Sequence, residues 1–198
     1  MTVDAHRASL LHLAVLGGPP GQEGSTRRRV YDLLQEHPGL HQRDVARRLD
    51  LAPAAAEHHL RHLVRSGLLG REEEAGFVRY YVRATVSERH PGAVPAADRA
   101  KLGLLRQARP LQLVANLVQA EGPVPMGELA TAMGISAGTL TYQVKKLEKV
   151  GLVERRRDGN ARLLALRDRD ATVALLLAYE PPADLVAGFE GLWADVGL

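Results

Sequence analysis

Hydrophobic and polar positions follow one pattern that occurs twice along the chain. Residues 30–71 align without a gap on residues 114–155, so each position of the second copy lies 84 residues after its equivalent (Ala130 against Ala46). Apolar positions are matched almost throughout, and eight positions are identical. In the first copy the identical residues are Val30, Leu33, Gln35, Ala46, Leu63, Gly67, Leu68 and Arg71. A repeat of this kind predicts two structural units of the same fold.

Each copy begins with two predicted helices. The first is amphipathic, covers about residues 27–37 or 110–121, and ends at a Pro-Gly or Gly-Pro breaker. The second is short, and the turn after it begins at Asp50 in one copy and at Gly134 in the other. Because Gly enters the left-handed backbone region freely and Asp tolerates it, we expect a left-handed residue at this position.

A third helix and a β-hairpin complete each copy. The helix begins at Pro53 or Ala137 and ends at a glycine that serves as a C-terminal stop. Its apolar residues share one face because they recur at helical spacing. They are Ala56, Leu60 and Leu63, matched by Leu140, Val144 and Leu147. Two strands follow over residues 68–82 and 152–166. The predicted fold class is mainly α with small β-wings, as two tandem winged helix-turn-helix domains.

The remaining segments flank the two copies. A helix is predicted over residues 4–16, before a Gly/Pro-rich hinge, and another over residues 98–108 at the end of a linker. After the second copy, Pro181 and Pro182 separate two helices that carry an apolar stripe. This stripe either packs on its own domain or forms a subunit interface. The predicted segments are residues 1–24, 25–84, 85–108, 109–167 and 168–198.

Composition narrows the class of protein. Aromatic residues make up only 4% of the chain, so the core must be built from Leu, Val and Ala. The absence of cysteine excludes a disulfide framework and a thiolate metal site, and it fits a reducing compartment. No segment has the pattern of a signal peptide, and none approaches the roughly 20 apolar residues of a membrane span. We therefore expect a cytoplasmic, nucleoid-associated protein with no membrane partner.

Three stretches carry a family resemblance. They resemble winged-helix transcription regulators of the broad prokaryotic ArsR and MarR superfamily, and they read HPGLHQRDVARRLDLAP, AEHHLRHLVRSGLL and MGISAGTLTYQVKKLEKVGLVER. The first copy is most similar to archaeal members of that group. The resemblance covers about residues 26–83 and 109–167. It implies a regulator of double-stranded DNA whose third helices enter the major groove.

The third helix of the second copy has a polar and basic outward face. Its candidate reading residues are Thr139, Thr141, Tyr142, Lys145 and Lys146. Hydroxyl groups suit base edges, and ammonium groups suit phosphates. The wing adds four guanidinium groups that suit phosphates or a minor groove, on Arg155, Arg156, Arg157 and Arg162. The alternative is a solvated charged hairpin, but a basic helix and a basic wing in a chain of net charge +3 favour DNA.

The first copy is a poorer reader of bases. Its candidate contacts are His58 and Arg61 on the third helix and Arg43 and Arg47 on the second. The third helix is otherwise rich in alanine, and the wing carries three successive glutamates at residues 72–74. This copy is predicted to make weaker contacts to the DNA backbone or to contact protein. The alternative is that both copies bind DNA equally.

The sequence favours a regulator that is not an enzyme and has no cofactor or metal. His58 and His62 lie four residues apart, and some members of the ArsR group sense metals, but no thiolate or evident third ligand accompanies them. The chain also lacks a phosphate-cradling glycine loop and a nucleophile elbow.

Two other functions remain open at this point. The chain could be a sequence-tolerant architectural DNA-binding protein, because two domains can cover successive stretches of groove. It could also be a winged-helix protein-interaction module, which the acidic first wing and the apolar tail suit. A homodimer through the C-terminal or linker helices is expected under the regulator hypothesis, although a tandem chain could act as its own pseudo-dimer.

Overall fold

A computed structural model of the protein describes residues 22–74, 77–83, 94–120 and 122–195. The chain divides into two compact units, Met1–Val94 and Pro95–Leu198. The helix predicted over residues 4–16 and one of the hairpin tips, at residues 75–76, lie outside the described residues.

The first unit has three helices and a three-stranded sheet. The helices are α1 (Gln22–Glu36), α2 (Gln42–Arg48) and α3 (Pro53–Arg65). The strands are β1 (Leu40–His41), β2 (Leu69–Glu74) and β3 (Phe77–Val82). The sheet is antiparallel in the order β1-β3-β2. Helix α1 begins earlier than predicted, and the two-residue strand β1 was not predicted because it is too short to show a period of its own.

The second unit repeats this order and extends it. Its winged helix consists of α5 (Ala108–Gln119), β4 (Val124–Pro125), α6 (Met126–Ala132), α7 (Ala137–Lys149), β5 (Val153–Asp158) and β6 (Ala161–Leu166). The sheet order is β4-β6-β5. Helix α4 (Ala96–Leu105) precedes it. Three helices follow it, α8 (Arg169–Ala178), α9 (Ala183–Val186) and α10 (Glu190–Asp195), where the sequence predicted two.

The turn between the second and third helices is the one that the sequence predicted. Asp50 has φ 51° and Gly134 has φ 61°, so both lie in the left-handed region. The third helix then begins differently in the two copies. Pro53 occupies the start of α3, whereas Ser136 caps α7 by accepting a hydrogen bond at 3.1 Å from the backbone N–H of Thr139. These local choices fix where the third helix starts.

One hydrophobic core fills each unit. In the first, the buried stripe of α3 packs with α1 and β3, and its members include Val30, Leu34, Leu60 and Leu63. In the second, Leu140, Val144 and Leu147 of α7 pack with α5 and β6. The apolar faces predicted from spacing are therefore the buried ones, and the opposite face of each third helix is exposed.

The helices around the second winged helix belong to its core. Leu104 and Leu105 of α4 and Leu175 and Leu176 of α8 are buried in the same cluster as α7. The tail's Tyr179, Leu185, Phe189 and Trp193 pack against that cluster. Of the two fates considered for the apolar stripe of the tail, the structure shows packing on its own domain.

Candidate nucleic-acid interface

Helix α7 presents the exposed face of the second winged helix. Its inner face is filled by the apolar stripe, so Tyr142 and Lys145 point outward. The Tyr142 side chain is 61% exposed, and it is one of three large hydrophobic side chains that are exposed among the described residues. Thr139 and Thr141 are half-buried and lie on opposite flanks of this face, because residues two apart on a helix do not share a side. The outer face of α7 thus carries an exposed aromatic ring and an exposed ammonium group.

Both threonine hydroxyls already take part in hydrogen bonds at the start of α7. Thr141 Oγ1 donates to the Ala137 carbonyl at 2.8 Å, and Thr139 Oγ1 lies 2.9 Å from Ser136 Oγ. A hydroxyl that donates to its own helix keeps its lone pairs as acceptors. Thr141 is therefore suited to accept from a base amino group, on adenine or cytosine, rather than to donate.

Lys146 takes a different place from its neighbour Lys145. Its Nζ donates to Gln107 Oε1 at 2.7 Å, and it lies 5.5 Å from the centroid of the Tyr142 ring. Lys146 is half-buried, whereas Lys145 is exposed and makes no ion pair with any described residue. Sequence reasoning grouped these two lysines, but the structure gives them different surroundings.

The pairing of β5 with β6 determines on which face of the wing each arginine lies. Arg157 lies opposite Arg162, and Arg155 lies opposite the buried Leu164. Since paired residues of an antiparallel ladder share a face and alternate residues share it too, Arg155, Arg157 and Arg162 lie on the side of the sheet that faces the core. Arg156 lies on the other side. The structure thus brings three of the four predicted wing arginines together.

Two of the wing arginines are paired with carboxylates. Arg155 Nη2 lies 3.0 Å from Glu148 Oε2, at the C-terminal end of α7. Arg156 Nη2 lies 2.7 Å from Glu154 Oε1, on its own strand. Arg157 and Arg162 are exposed and have no ion pair among the described residues. The Arg155 contact joins the arginine face of the wing to α7, so the exposed Lys145 on α7 and the exposed Arg157 and Arg162 on the wing belong to two elements in contact.

In the first copy, intramolecular ion pairs engage two of the four predicted contacts. Arg61 pairs with Glu57 one turn earlier on α3, and Arg47 Nη2 lies 3.2 Å from Asp44 Oδ1 on α2. Arg43 and His58 are exposed. Exposed pairs of this kind are worth about 0–1 kcal/mol, so they can exchange for phosphates, but they lower the net positive charge of the face.

Two histidines of the first copy have hydrogen bonds that favour their neutral form. His41 Nδ1 accepts from the backbone N–H of Arg43 at 3.1 Å and caps α2. Burial lowers the pKa of His41, Arg79 and Arg43 lower it further, and Asp44 opposes this. His62 Nε2 lies 2.9 Å from Arg27 Nη1, and its pKa is lowered by burial and then by Arg27.

The acidic wing of the first copy holds an arginine that sequence reasoning did not single out. Arg79 lies opposite Glu72 in the β2–β3 ladder and is 4% exposed. Its Nη1 donates to the Gly39 carbonyl at 2.8 Å, so it ties β3 to the segment before β1. Glu72 and Glu73 lie on opposite faces of the sheet because strand residues alternate. The glutamates therefore do not form one acidic patch on a single face.

Neither a metal-ligand cluster nor a membrane-spanning helix occurs among the described residues. No group of three or more histidine or acidic side chains is arranged to hold a metal ion within residues 22–74, 77–83, 94–120 and 122–195. Nor does any helix in those ranges have the length and apolar character to cross a membrane.

Two units of helix, strand, helix, helix and β-wing define a tandem winged helix-turn-helix protein. Residues 24–93 match the family model described as an N-terminal HTH domain, and residues 116–163 match that of the MarR family. Each matched segment overlaps one of the two winged helices, and over these segments the chain is similar to helix-turn-helix transcriptional regulators.

One curated relative is an uncharacterized HTH-type transcriptional regulator of Methanocaldococcus jannaschii, 26% identical over 135 residues. The match covers 68% of this chain and 32% of the relative, so the chain spans about a third of the relative's length.

Solved structures that resemble the chain cover part of it. Reduced HlyU from Vibrio cholerae is 22% identical, with a TM-score of 0.38, over 41% of this chain and 84% of its own. The homodimeric winged helix-turn-helix DNA-binding domain of a possible ArsR-family regulator from Mycobacterium bovis is 25% identical, with a TM-score of 0.38, over 54% of this chain and 91% of its own.

Proposed function

We propose that the protein is a DNA-binding transcriptional regulator whose second winged helix reads sequence. Helix α7 lies in the major groove, and the β5–β6 wing rests on the backbone or in the adjacent minor groove. The observation that carries this proposal is that exposed, unpaired cations occur both on α7, at Lys145, and on the wing face that Arg155 joins to α7, at Arg157 and Arg162. Cations on a reading helix and its wing can neutralise phosphates on both sides of one groove.

We assign recognition of the base sequence of the DNA to the polar groups on the outer side of α7. Tyr142 offers an exposed ring and a phenolic hydroxyl, and Thr139 and Thr141 offer acceptor oxygens beside it. These groups suit base edges, whereas Lys145 suits the phosphates that flank them. The other predicted contacts, Lys146, Arg155 and Arg156, are held by neighbouring side chains in the free protein.

The first winged helix has a supporting role under this proposal. Its α3 face is alanine-rich, and Glu57 already pairs with Arg61. Arg43 and His58 are exposed and can contact phosphates. The alanine-rich face of α3 also favours a second candidate function for the first copy, which is contact with another protein. The proposed limits of the two winged helices stay at residues 25–84 and 109–167, and a homodimer remains part of the proposal.

The test is selection of duplexes from a random pool, followed by titration of the selected site and of random duplex at several salt concentrations. A regulator binds the selected site at least about a thousandfold more tightly than random duplex. Equal affinity for both would indicate the architectural function. No binding of any duplex below micromolar concentration at low salt, together with a stoichiometric protein partner, would favour the protein-interaction module. Solution mass of the free and bound protein decides between monomer and dimer.

A further inference from the structure

We infer that Lys146 is a positioning residue that holds the Tyr142 ring on the reading face and does not act as a phosphate clamp. Gln107 in turn holds Lys146. The inference rests on the proposed function, and it assigns a specificity role to a side chain outside the reading face, in the junction between α4 and α5.

Gln107 is well placed to hold an ammonium group. It is the residue before α5, with φ −120° and ψ 130°, and its own Nε2 lies 3.4 Å from the Gly103 carbonyl. The amide nitrogen is therefore turned towards α4, and the amide oxygen is left for Lys146, at 2.7 Å. Both side chains are half-buried, so the charged hydrogen bond is less exposed to water than one on the open surface.

The same ammonium group lies over an aromatic ring. Lys146 Nζ is 5.5 Å from the Tyr142 centroid, within the range of a cation–π contact. Tyr142 precedes Lys146 by one helical turn, so the two side chains are neighbours on α7. An exposed tyrosine on a helix samples several rotamers, and a fixed cation beside its ring favours one of them before DNA arrives.

The first copy uses the equivalent position in the same way. His62, which is 84 residues before Lys146, bonds to Arg27 of the preceding helix α1 at 2.9 Å. In both copies, therefore, this position of the third helix bonds to a side chain from an earlier segment, which is α1 in the first copy and the α4–α5 junction in the second. The equivalent of Tyr142 in the first copy is His58, so only the second copy places a large aromatic ring beside the tether.

The experiment compares full-length variants by two readouts. Affinity is measured for the selected site and for its single-base-pair variants, and the ratio of the two affinities is the discrimination at each base pair. The base pairs that Tyr142 reads are those at which Tyr142→Ala removes this discrimination. The slope of log affinity against log salt is measured in parallel. Lys146→Met and Gln107→Ala should each lose about fivefold of discrimination at those base pairs, with an unchanged salt slope. Lys145→Met should instead lower the slope by about 0.9 at unchanged discrimination.

Matched variants separate positioning from loss of folding. Gln107→Glu keeps an acceptor for the ammonium group and should restore the discrimination that Gln107→Ala loses. Gln107→Ala should add little in a Lys146→Met background, because the two residues act in one contact. Lys101→Met, which removes an ammonium group that pairs with Asp98 on α4, is the control and should leave both readouts unchanged. A melt of every variant checks that the second domain is folded.

A phosphate clamp would give a different result. If Lys146→Met lowers the salt slope by about 0.9 and leaves discrimination intact, the inference is overturned. A readout without DNA decides the geometry itself: the Lys146 ε-methylene protons should be shifted upfield by the Tyr142 ring and return towards ordinary values in Tyr142→Leu and in Gln107→Ala. Absence of that shift overturns the inference even if the protein binds DNA. If the wild-type chain binds no duplex, the proposed function fails, and the ring-current shift still decides whether Lys146 holds the ring.

Discussion

The two neighbouring arginines of the second wing should behave differently when each is removed. Arg157 lies on the wing face that is joined to α7 and has no described ion pair, whereas Arg156 lies on the other face and pairs with Glu154. Each phosphate contact contributes about 0.9 to the slope of log affinity against log salt. Raising salt from about 50 to about 200 mM therefore costs about 3.5-fold in affinity per contact.

These values give a definite expectation for the second domain. With Lys145, Arg157 and Arg162 on phosphates, the wild-type affinity should fall about 40-fold over that salt range. In Arg157→Ala the fall should be about 12-fold, and in Arg156→Ala it should stay close to the wild-type value. The two variants remove the same exposed side chain from adjacent positions, so each is the other's control.

The assay is fluorescence anisotropy of a labelled duplex titrated with full-length protein at four or more salt concentrations. A homodimer that places two copies on DNA would double the change in slope, so solution mass is measured on the same samples. Equal loss of slope in both variants would contradict the assignment of faces. A larger loss in Arg156→Ala would mean that the wing presents its other face to the backbone.

Three further predictions concern the second interface and the stability of both domains. Glu148→Gln releases Arg155 from its ion pair, so DNA affinity at low salt should rise and the salt slope should steepen by up to about 0.9, as measured in the same titration. Gly134→Ala should lower the free energy of unfolding by about 1–2 kcal/mol in chemical denaturation, because φ is 61° there although no neighbouring atom lies within 4 Å of the added Cβ. His41 has a folded pKa below its unfolded value of 6.5, so its contribution to stability is complete above that pH and is lost as the pH falls through the folded value. Comparing denaturation at about pH 7.5 and pH 5, His41→Asn should lose less stability on acidification than the wild type, since Asn caps α2 without titrating, and an equal loss would refute this role.

Much of the fold could be predicted because burial of one helix face imposes a period on the sequence. The stripes of α3 and α7, the left-handed turns at Asp50 and Gly134, and the strands β3 and β6 were all predicted and are confirmed. The two-residue strands β1 and β4 and the second break in the tail, between α9 and α10, were not predicted. They depend on pairing with a distant strand or on packing, and segments so short carry no period.

The chemistry of the candidate interface was predictable only as a set of residue types. The sequence identified the basic helix and wing, but nothing in it singled out Gln107 or Glu148, each of which holds a basic side chain from a different element, Lys146 or Arg155. A pattern reports which residues share a face of one element. It does not report which side chains from other elements come within hydrogen-bond distance of them.

The sequence alone therefore determined the repeat, the helical faces and the basic character of the second copy, because these follow from local periodicity and charge. Only the tertiary structure decided that the tail's apolar stripe is buried in its own domain, that Arg157 and Arg162 share a face without Arg156, and that Lys145 is exposed while Lys146 is held. The burial of the tail and the tether of Lys146 are contacts between segments that are distant along the chain, and the shared face of the arginines depends on the register of the β5–β6 hairpin.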